Sequence, residues 1–382
     1  MNQAVPIAFY APLKSPHHPA SSGDRTMARL LFMALERAGF APDLASELRT
    51  FDGTGDATAQ ERLRIESEGE ADRLLDLYRA CSAGLRPRLW FTYHVYYKAP
   101  DWIGPRVAER LGIPYVIAEG SRAAKRADGP WALAHRGAEA ALDRASAIFV
   151  MTPVDRQALE RARPSRQVLV DLPPFTDAAE WADAPSSAPR HVREPHSGLR
   201  LLTVAMMRGG DKLASYAILA EALAGLGPGE WRLDVVGDGS ARAEVETLLA
   251  PFGSRVRFHG HIGDRARLCE MYRQADVFVW PAVNEAYGMV LLEAQAFGCP
   301  VVAGAYGGVA SVVRNDETGV LTSPGDAMAL ARAVTALRDA PERRRALAAA
   351  ARRFVADERG LEQASARLRT SLVPIIGARA IS

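Results

Sequence analysis

The sequence contains little cysteine. Cys81, Cys269 and Cys299 are its only three in 382 residues, and they lie far apart along the chain. They form neither the disulfide framework of a small secreted domain nor the close spacing of a structural zinc site. We expect reduced, structural thiols, as in a reducing compartment.

Long apolar runs and a strong excess of one charge are also lacking. No run is long enough to span a bilayer, and the first residues do not have the basic, apolar and small-residue regions of a signal peptide. The formal net charge is only +2, and no basic-aromatic stripe indicates nucleic acid. We expect a cytoplasmic protein that binds no nucleic acid, and peripheral contact with the inner face of the membrane stays open.

The sequence also lacks an Asp-x-Asp pair that could hold a divalent ion. His259 and His261 are separated by one residue, but no third ligand lies near them in sequence. We interpret them as the end of a strand and predict no metal site. An anionic ligand should therefore be neutralised by Arg, Lys and backbone N–H groups.

The chain is long enough for two domains that each bury a core. Strand, loop and helix patterns alternate, which predicts an α/β fold with doubly wound parallel sheets. We place the first domain at residues 1–175 and a linker rich in Ala, Pro, Asp and Ser at residues 176–198. The second domain is expected at residues 199–355, followed by a helical segment at residues 356–382.

One stretch in the second half predicts a ligand site. Asp276–Pro281 is a short apolar run closed by proline, typical of a buried parallel strand. Glu285 follows in a loop, and a helix is expected to begin near Gly288. The N–H groups of Tyr287, Gly288 and Met289 would then face outward at the positive end of the helix dipole, where a diphosphate binds well.

Two carboxylates flank this predicted anion site. Glu293 lies about a turn and a half into the helix, where its oxygens could hold a vicinal diol such as a ribose. Glu285 would face the other end of the ligand. This arrangement fits a sugar, a diphosphate and a nucleoside in a row, whereas the alternative is two solvated Glu side chains on a loop and an amphipathic helix.

Arg208 and Lys212 lie in the loop that follows the predicted strand Leu199–Val204. In a doubly wound sheet this loop shares an edge with the Glu285 loop. Two cations there would stabilise an anionic leaving group, or they would simply be solvated. Gly237 ends the next strand at the same edge and is a weaker candidate for ligand contact.

Polar residues also follow strands of the first half. Gly23 lies in a loop that opens into a helix, which places it for a diphosphate or acceptor contact. His94 follows a strand beside three aromatic residues and could be structural or catalytic. Glu119 and Arg122 follow another strand end, where they would bind a polar acceptor or form exposed ion pairs.

The second half resembles the donor-site signature of family 4 retaining glycosyltransferases. The resemblance lies in residues 285–302 and continues through Gly307-Gly308, Thr318-Gly319 and Pro324-Gly325-Asp326. A weaker resemblance extends over nearly the whole chain, and it is strong only from about Leu199 onward. It implies the GT-B architecture, in which two Rossmann-like domains face each other across a cleft and the last helix packs back on the first domain.

The resemblance also implies an activity, namely transfer of a hexose from a UDP- or GDP-sugar to an acceptor hydroxyl with retained configuration. The nucleotide sugar would be a co-substrate, with no other cofactor and no metal. Glu285 would hold sugar hydroxyls and His94 would touch the donor sugar. Arg208 and Lys212 would bind phosphate, and Ile262 marks where similar enzymes pack the base.

This sequence departs from the family pattern at three places. Ser22-Gly23 replaces two adjacent glycines, Glu119 replaces a His or Thr, and Ala310-Ser311 stands where Glu and Pro are common. The acceptor stays open among saccharides, small metabolites and lipid-linked molecules. Two further alternatives are a phosphorylase-like or epimerase activity, and a catalytically silent nucleotide-binding homologue that scaffolds a partner enzyme.

Overall fold

The computed structural model describes residues 4–20, 22–177, 198–227 and 229–378. The chain divides into two compact units, one formed by Met1–Pro173 with Leu361–Ser382 and the other by Pro174–Gly360. Nearly all of the linker predicted at residues 176–198 lies outside the described residues.

Parallel strands and intervening helices alternate along both units. The strands are β1 (Val5–Tyr10), β2 (Phe40–Ser46), β3 (Leu89–Val95), β4 (Tyr115–Gly120), β5 (Ala147–Val150), β6 (Val168–Asp171), β7 (Leu199–Val204), β8 (Trp231–Val236), β9 (Val256–Phe258), β10 (Val277–Trp280), β11 (Val301–Gly304) and β12 (Gly319–Thr322). The helices are α1 (Gly23–Arg37), α2 (Ala57–Ala80), α3 (Gly104–Leu111), α4 (Ala132–Arg144), α5 (Pro153–Arg161), α6 (Asp211–Ala224), α7 (Arg242–Leu249), α8 (Arg265–Gln274), α9 (Met289–Ala296), α10 (Ala327–Asp339), α11 (Pro341–Glu358) and α12 (Leu361–Ala378). Within the described ranges, no helix is long and apolar enough to cross a membrane.

The first unit contains a six-stranded parallel sheet in the order β2-β1-β3-β4-β5-β6. Its central strands are almost continuously apolar, and Phe9, Phe91 and Phe149 are completely buried. Such strands form because both faces of the sheet are covered by helices. The strand order reverses between β1 and β3, so their loops diverge and leave a crevice at the carboxyl edge.

The last helix, α12, belongs to the first unit although it follows the second unit in sequence. It packs on α1, where Arg369 donates to the carbonyl of Ala38 over 2.9 Å and Glu362 pairs with Arg37. Leu368 and Leu372 of α12 are completely buried.

The second unit has a parallel sheet in the order β12-β11-β10-β7-β8-β9. This is the strand order of dinucleotide-binding domains, and it reverses between β7 and β10. The loops that leave these two strands therefore start side by side and run to opposite faces of the sheet. Strand β10 is fully buried at Val277, Phe278 and Trp280. The loops therefore start from a well-packed strand end.

Gly237 allows the loop after β7 to lie against the end of β8. Its φ is +140°, and a Cβ atom there would stand 1.9 Å from the carbonyl oxygen of Ala205. Ala205 in turn donates its N–H to Val236 over 3.0 Å. Only glycine satisfies both the backbone conformation and this close approach.

We predict that Gly237→Ala destabilises the chain by about 3 kcal/mol, because the new methyl group overlaps a backbone oxygen that cannot move alone. Urea unfolding measures the change. Gly209→Ala is the matched control, since no atom lies within 4 Å of its added Cβ. Equal stability of the two variants would contradict this packing.

Candidate active site

Lys212 and Glu285 meet where the strand order of the second sheet reverses. The Lys212 Nζ donates to Glu285 Oε2 over 2.5 Å, and the Trp280 indole N–H points at the same oxygen from 3.5 Å. The ammonium also lies 5.6 Å from the centre of the Trp280 ring. The Glu285 carboxylate is thus held by Lys212 in the first turn of α6 and by Trp280 at the end of β10.

Two more hydrogen bonds fasten the Glu285 loop to α6. The Val283 N–H donates to Ser215 Oγ over 3.0 Å, and Asn284 Nδ2 donates to Asp211 Oδ1 over 2.9 Å. Asn284 has φ +48° and Ala282 has φ +59°, a conformation that costs energy for residues other than glycine. The contacts with α6 hold this strained loop and fix the position of the Glu285 carboxylate.

The N-terminus of α9 lies directly after this loop. Gly288 is its N-cap residue with φ +77°, and Leu291 donates its N–H to the Gly288 carbonyl over 2.9 Å. The N–H groups of Gly288, Met289 and Val290 precede that bond and have no intrahelical acceptor. The structure therefore places a helix N-terminus at the reversal point, as the sequence predicts. Arg208 is exposed in the loop after β7.

Gly307 brings a second turn against this loop. A Cβ atom on Gly307 would stand 2.3 Å from the carbonyl oxygen of Glu285, and Gly308 donates its N–H to Ala286 over 2.7 Å. The Gly-Gly turn thus supports the backbone of the ligand loop from the side of β11.

Glu293 is more enclosed than a solvated helix residue. Only 8% of it is exposed, and the Tyr272 hydroxyl donates to its Oε2 over 3.0 Å. Burial raises the pKa of the Glu293 carboxyl to about 7, against the opposing effects of the Tyr272 bond and of Arg265. The contact with a ribose diol stays a prediction for this residue, and Tyr272 is a partner that the sequence did not reveal.

Two further donor-site candidates lie at the ends of β8 and β9. Gly237 donates its N–H to Gly260 over 2.9 Å, and Ile262 is buried two residues later. Their contacts with a nucleotide stay predictions. His259 Nε2 lies 2.7 Å from Asp234 Oδ1, and the part of the chain that the structure describes contains no group of three or more side chains arranged to hold a metal ion.

The partly buried His94 and the buried Glu119 form a cluster in the first unit. They occupy matching positions on β3 and β4, because Tyr93 pairs with Ala118 and Val95 with Gly120. Both have φ +62°, a conformation rare outside glycine and enriched at functional sites. His94 Nε2 lies 3.8 Å from Glu119 Oε1.

Asp24 completes this cluster from the first turn of α1. Its Oδ1 lies 3.2 Å from His94 Nδ1. Burial lowers the pKa of His94, but the carboxylates of Glu119, Asp24 and Asp155 outweigh it and raise that pKa to about 9. At neutral pH the imidazole is therefore protonated, and both ring nitrogens are donors.

Gly23 is exposed at the start of α1, beside the N-cap Ser22. The Ser22 hydroxyl accepts hydrogen bonds from the Arg25 N–H over 3.3 Å and from Lys14 Nζ over 2.9 Å. Where the family has a second glycine, this chain thus has a capping hydroxyl with a nearby cation. Ligand contact by Gly23 stays a prediction.

Arg122 is engaged within its own unit. Its guanidinium pairs with Glu139, with Asp143 over 2.5 Å, and with the carbonyl of Ala162 over 3.3 Å. These contacts correspond to the ion-pair alternative that the sequence left open, except that the Arg122 side chain is largely buried. A role in acceptor binding stays a prediction and has no contact in its favour.

Comparisons with known proteins found a matching family model and solved structures of similar fold. Residues 211–354 match the family model described as "Glycosyl transferases group 1". Among solved structures, sucrose-phosphate synthase from Thermosynechococcus elongatus aligns with a TM-score of 0.70 at 22% identity, covering 98% of this chain and 100% of that one. HepE from Anabaena, solved in complex with UDP, aligns with a TM-score of 0.71 at 15% identity over 97% and 100%.

A curated relative, "D-inositol 3-phosphate glycosyltransferase" from Xylanimonas cellulosilytica, is 42% identical over 164 residues. The match covers 41% of this chain and only 38% of that relative. The likeness at this level of identity is thus confined to part of both proteins.

The fold is GT-B, and the predicted pair of Rossmann-like domains is confirmed. The match of residues 211–354 to the group 1 glycosyl transferase family model confirms the resemblance seen in the second half of the sequence.

The raised pKa of Glu293 predicts a pH-dependent stability. The ordinary pKa is 4.5 and the folded value is about 7, so between them the folded chain holds a proton that the unfolded chain has lost. Stability therefore falls as pH rises through this interval, by roughly 2–3 kcal/mol from this group. Glu293→Gln should remove that slope.

Urea unfolding at about pH 5 and about pH 7.5 measures this effect. Glu244→Gln, at an exposed position on α7, is the control and should keep the wild-type slope. A Glu293→Gln variant whose stability still falls as steeply would show that another group titrates.

Proposed function

We propose that the chain is a retaining glycosyltransferase that moves a hexose from a UDP-sugar to an acceptor hydroxyl. The observation that carries the proposal is the Lys212–Glu285 pair beside the N-terminus of α9, at the point where the sheet order reverses. Ligands of doubly wound sheets bind at this point. HepE, which shares the fold, has been solved with UDP and with UDP-glucose, and this favours UDP over GDP.

The donor would lie along the carboxyl edge of the second sheet. Its diphosphate would accept hydrogen bonds from the N–H groups at Gly288 and Met289, with Arg208 and Lys212 supplying positive charge. The base would pack near Ile262. One oxygen of Glu293 is engaged by Tyr272, so the ribose diol would use the other side of that carboxyl group.

The charges suggest how the reaction proceeds. As the bond from the anomeric carbon to the diphosphate breaks, negative charge develops on the leaving oxygen, and Arg208 and Lys212 would stabilise it. These two cations are the reason that we propose a metal-independent enzyme. The acceptor oxygen bonds to the anomeric carbon, and its proton passes to the leaving phosphate.

Retention by two displacements would need a second carboxylate placed as a nucleophile. Glu285 is the candidate for such a carboxylate near the donor sugar. Its carboxylate is contacted by the Lys212 ammonium and the Trp280 indole N–H, which suits a group that holds sugar hydroxyls. We therefore propose departure and attack on the same face of the sugar.

The first unit would bind the acceptor. The protonated His94 would donate a hydrogen bond to a sugar hydroxyl, and Glu119 would orient a polar acceptor near Gly23. The Xylanimonas relative is named for a phosphorylated polyol, but this chain spans a minor part of it. Saccharides, small metabolites and lipid-linked acceptors therefore all stay open, in a cytoplasmic setting.

Replacing Glu285 and Lys212 separates turnover from binding. We expect Glu285→Ala to lose about a hundredfold or more in turnover with little change in UDP affinity, because its carboxylate meets the sugar. Lys212→Ala should weaken both, because its charge meets the diphosphate. UDP release and UDP-induced thermal stabilisation measure the two effects.

Glu244→Gln, which removes an exposed charge outside the site, is the control. Turnover and UDP affinity of this variant should equal the wild-type values. Equal turnover of wild type and Glu285→Ala would overturn the assignment. UDP binding without any turnover of UDP-sugars would favour the silent homologue.

The raised pKa of His94 predicts the alkaline limb of the activity profile. If the imidazolium donates a hydrogen bond, activity falls as pH rises through about 9 and the proton is lost. Asp24→Asn removes a carboxylate that raises this pKa, so the fall should move to lower pH by roughly one unit. A pH profile of kcat/KM measures it, and an unmoved limb would assign the titration to another group.

A further inference from the structure

Four side chains form a cationic aromatic patch in the first unit, namely Tyr97, Lys98, Arg126 and Trp131. The two rings meet edge to face with centroids 5.7 Å apart. Lys98 Nζ lies 5.7 Å from the Tyr97 ring and 5.3 Å from the Trp131 ring, and Arg126 Cζ lies 5.2 and 5.0 Å from them. All four residues are partly exposed.

The positive charge of this patch is not neutralised by carboxylates. Among the described residues, neither Lys98 nor Arg126 has an ion pair, whereas nearby Arg122 is held by two carboxylates. The Arg126 Nε is buried without a hydrogen-bond acceptor. An aromatic ring positions a cation but leaves its charge in place, so the patch attracts an anion.

The patch is built on a rigid base. Trp131 Nε1 points at the Asp52 carbonyl from 3.4 Å. The buried Gln60 donates to the Pro130 carbonyl over 2.8 Å and accepts from the Ala134 N–H over 3.1 Å. These bonds anchor the start of α4 and the preceding loop to α2. The Trp131 ring is therefore ordered before a ligand arrives, which lowers the cost of binding.

The patch lies beside the His94 cluster. Tyr97 and Lys98 follow β3, while Arg126 and Trp131 lie between β4 and α4, so all four are at the carboxyl edge of the sheet. Ring contacts continue from Tyr97 to Tyr96 at 5.6 Å and from Tyr96 to His94 at 4.8 Å. A molecule at His94 can therefore reach the patch with a neighbouring group.

We propose that this patch binds the anionic group of the acceptor, which is a saccharide or polyol carrying a carboxylate or a phosphate. The ammonium and guanidinium form charge-assisted hydrogen bonds with that group, and the exposed parts of the rings contact the carbon face of the sugar. The carboxylates of Asp24 and Glu119 are paired with the His94 imidazolium and do not compete for these cations. The acceptor identity rests on the proposed function, whereas the anion site itself does not.

Calorimetric titration of the full chain with glucose, glucose 6-phosphate and glucuronate tests the site. We expect at least one of the two anionic sugars to bind about tenfold tighter than glucose, and the comparison between them identifies the preferred anion. Lys98→Gln and Arg126→Gln should each weaken that binding about five- to tenfold. Lys125→Gln is the matched control, because this adjacent exposed lysine contacts no ring among the residues that the structure describes, and it should change affinity less than about twofold.

Three results would overturn the proposal. These are equal affinity for glucose and both anionic sugars, no binding of either anionic sugar up to about 10 mM, and an equal loss in Lys125→Gln. UDP-induced thermal stabilisation of the same preparation separates the two proposals. If UDP binds and the anionic sugars do not, only the patch assignment fails. If the anionic sugars bind and UDP does not, the glycosyltransferase proposal fails and the anion site stands.

Discussion

The ion pair between Lys212 and Glu285 is the contact on which the candidate site depends. It joins the first turn of α6 to the loop after β10, and these elements diverge because the strand order reverses between β7 and β10. Together with the bonds from Val283 to Ser215 and from Asn284 to Asp211, it holds a loop that contains two strained non-glycine residues. The pair holds a carboxylate near a helix N-terminus, where an isolated negative charge would compete with an anionic ligand. The lysine offsets that charge and supplies the cation that a leaving diphosphate needs.

The first unit also has a charged cluster at its strand ends, and there the cation is a histidine. His94 and Glu119 lie side by side in left-handed conformations at neighbouring strand ends, and Asp24 reaches them from α1. The cost of burying the imidazolium is outweighed by the surrounding carboxylates, since its pKa is raised. In both units, therefore, a charged pair spans elements that diverge from a reversal in the strand order. The cationic aromatic patch differs, because among the described residues its two cations contact aromatic rings and have no carboxylate partner.

Much of this architecture could be predicted from local sequence. Apolar runs such as Val277–Trp280 fix the buried strands, and the glycine at position 288 marks the start of α9. The partners of the charged groups could not be predicted, because they are distant in the chain. The sequence indicates both Lys212 and Glu285 as site residues, yet their pairing across 73 positions has no local signal. For the same reason the sequence does not reveal Asp24 as a partner of His94 or Tyr272 as a partner of Glu293. The residue types of His94 and Glu119 also give no sign of their left-handed backbone conformation.

A crystal structure of the chain with UDP tests the central claim most directly, because it shows where the diphosphate lies. The account predicts phosphate density against the N–H groups at Gly288 and Met289, with Arg208 and Lys212 beside it. Density elsewhere on the sheet edge, or UDP bound with the diphosphate away from α9, would contradict the assignment of this helix as the donor site.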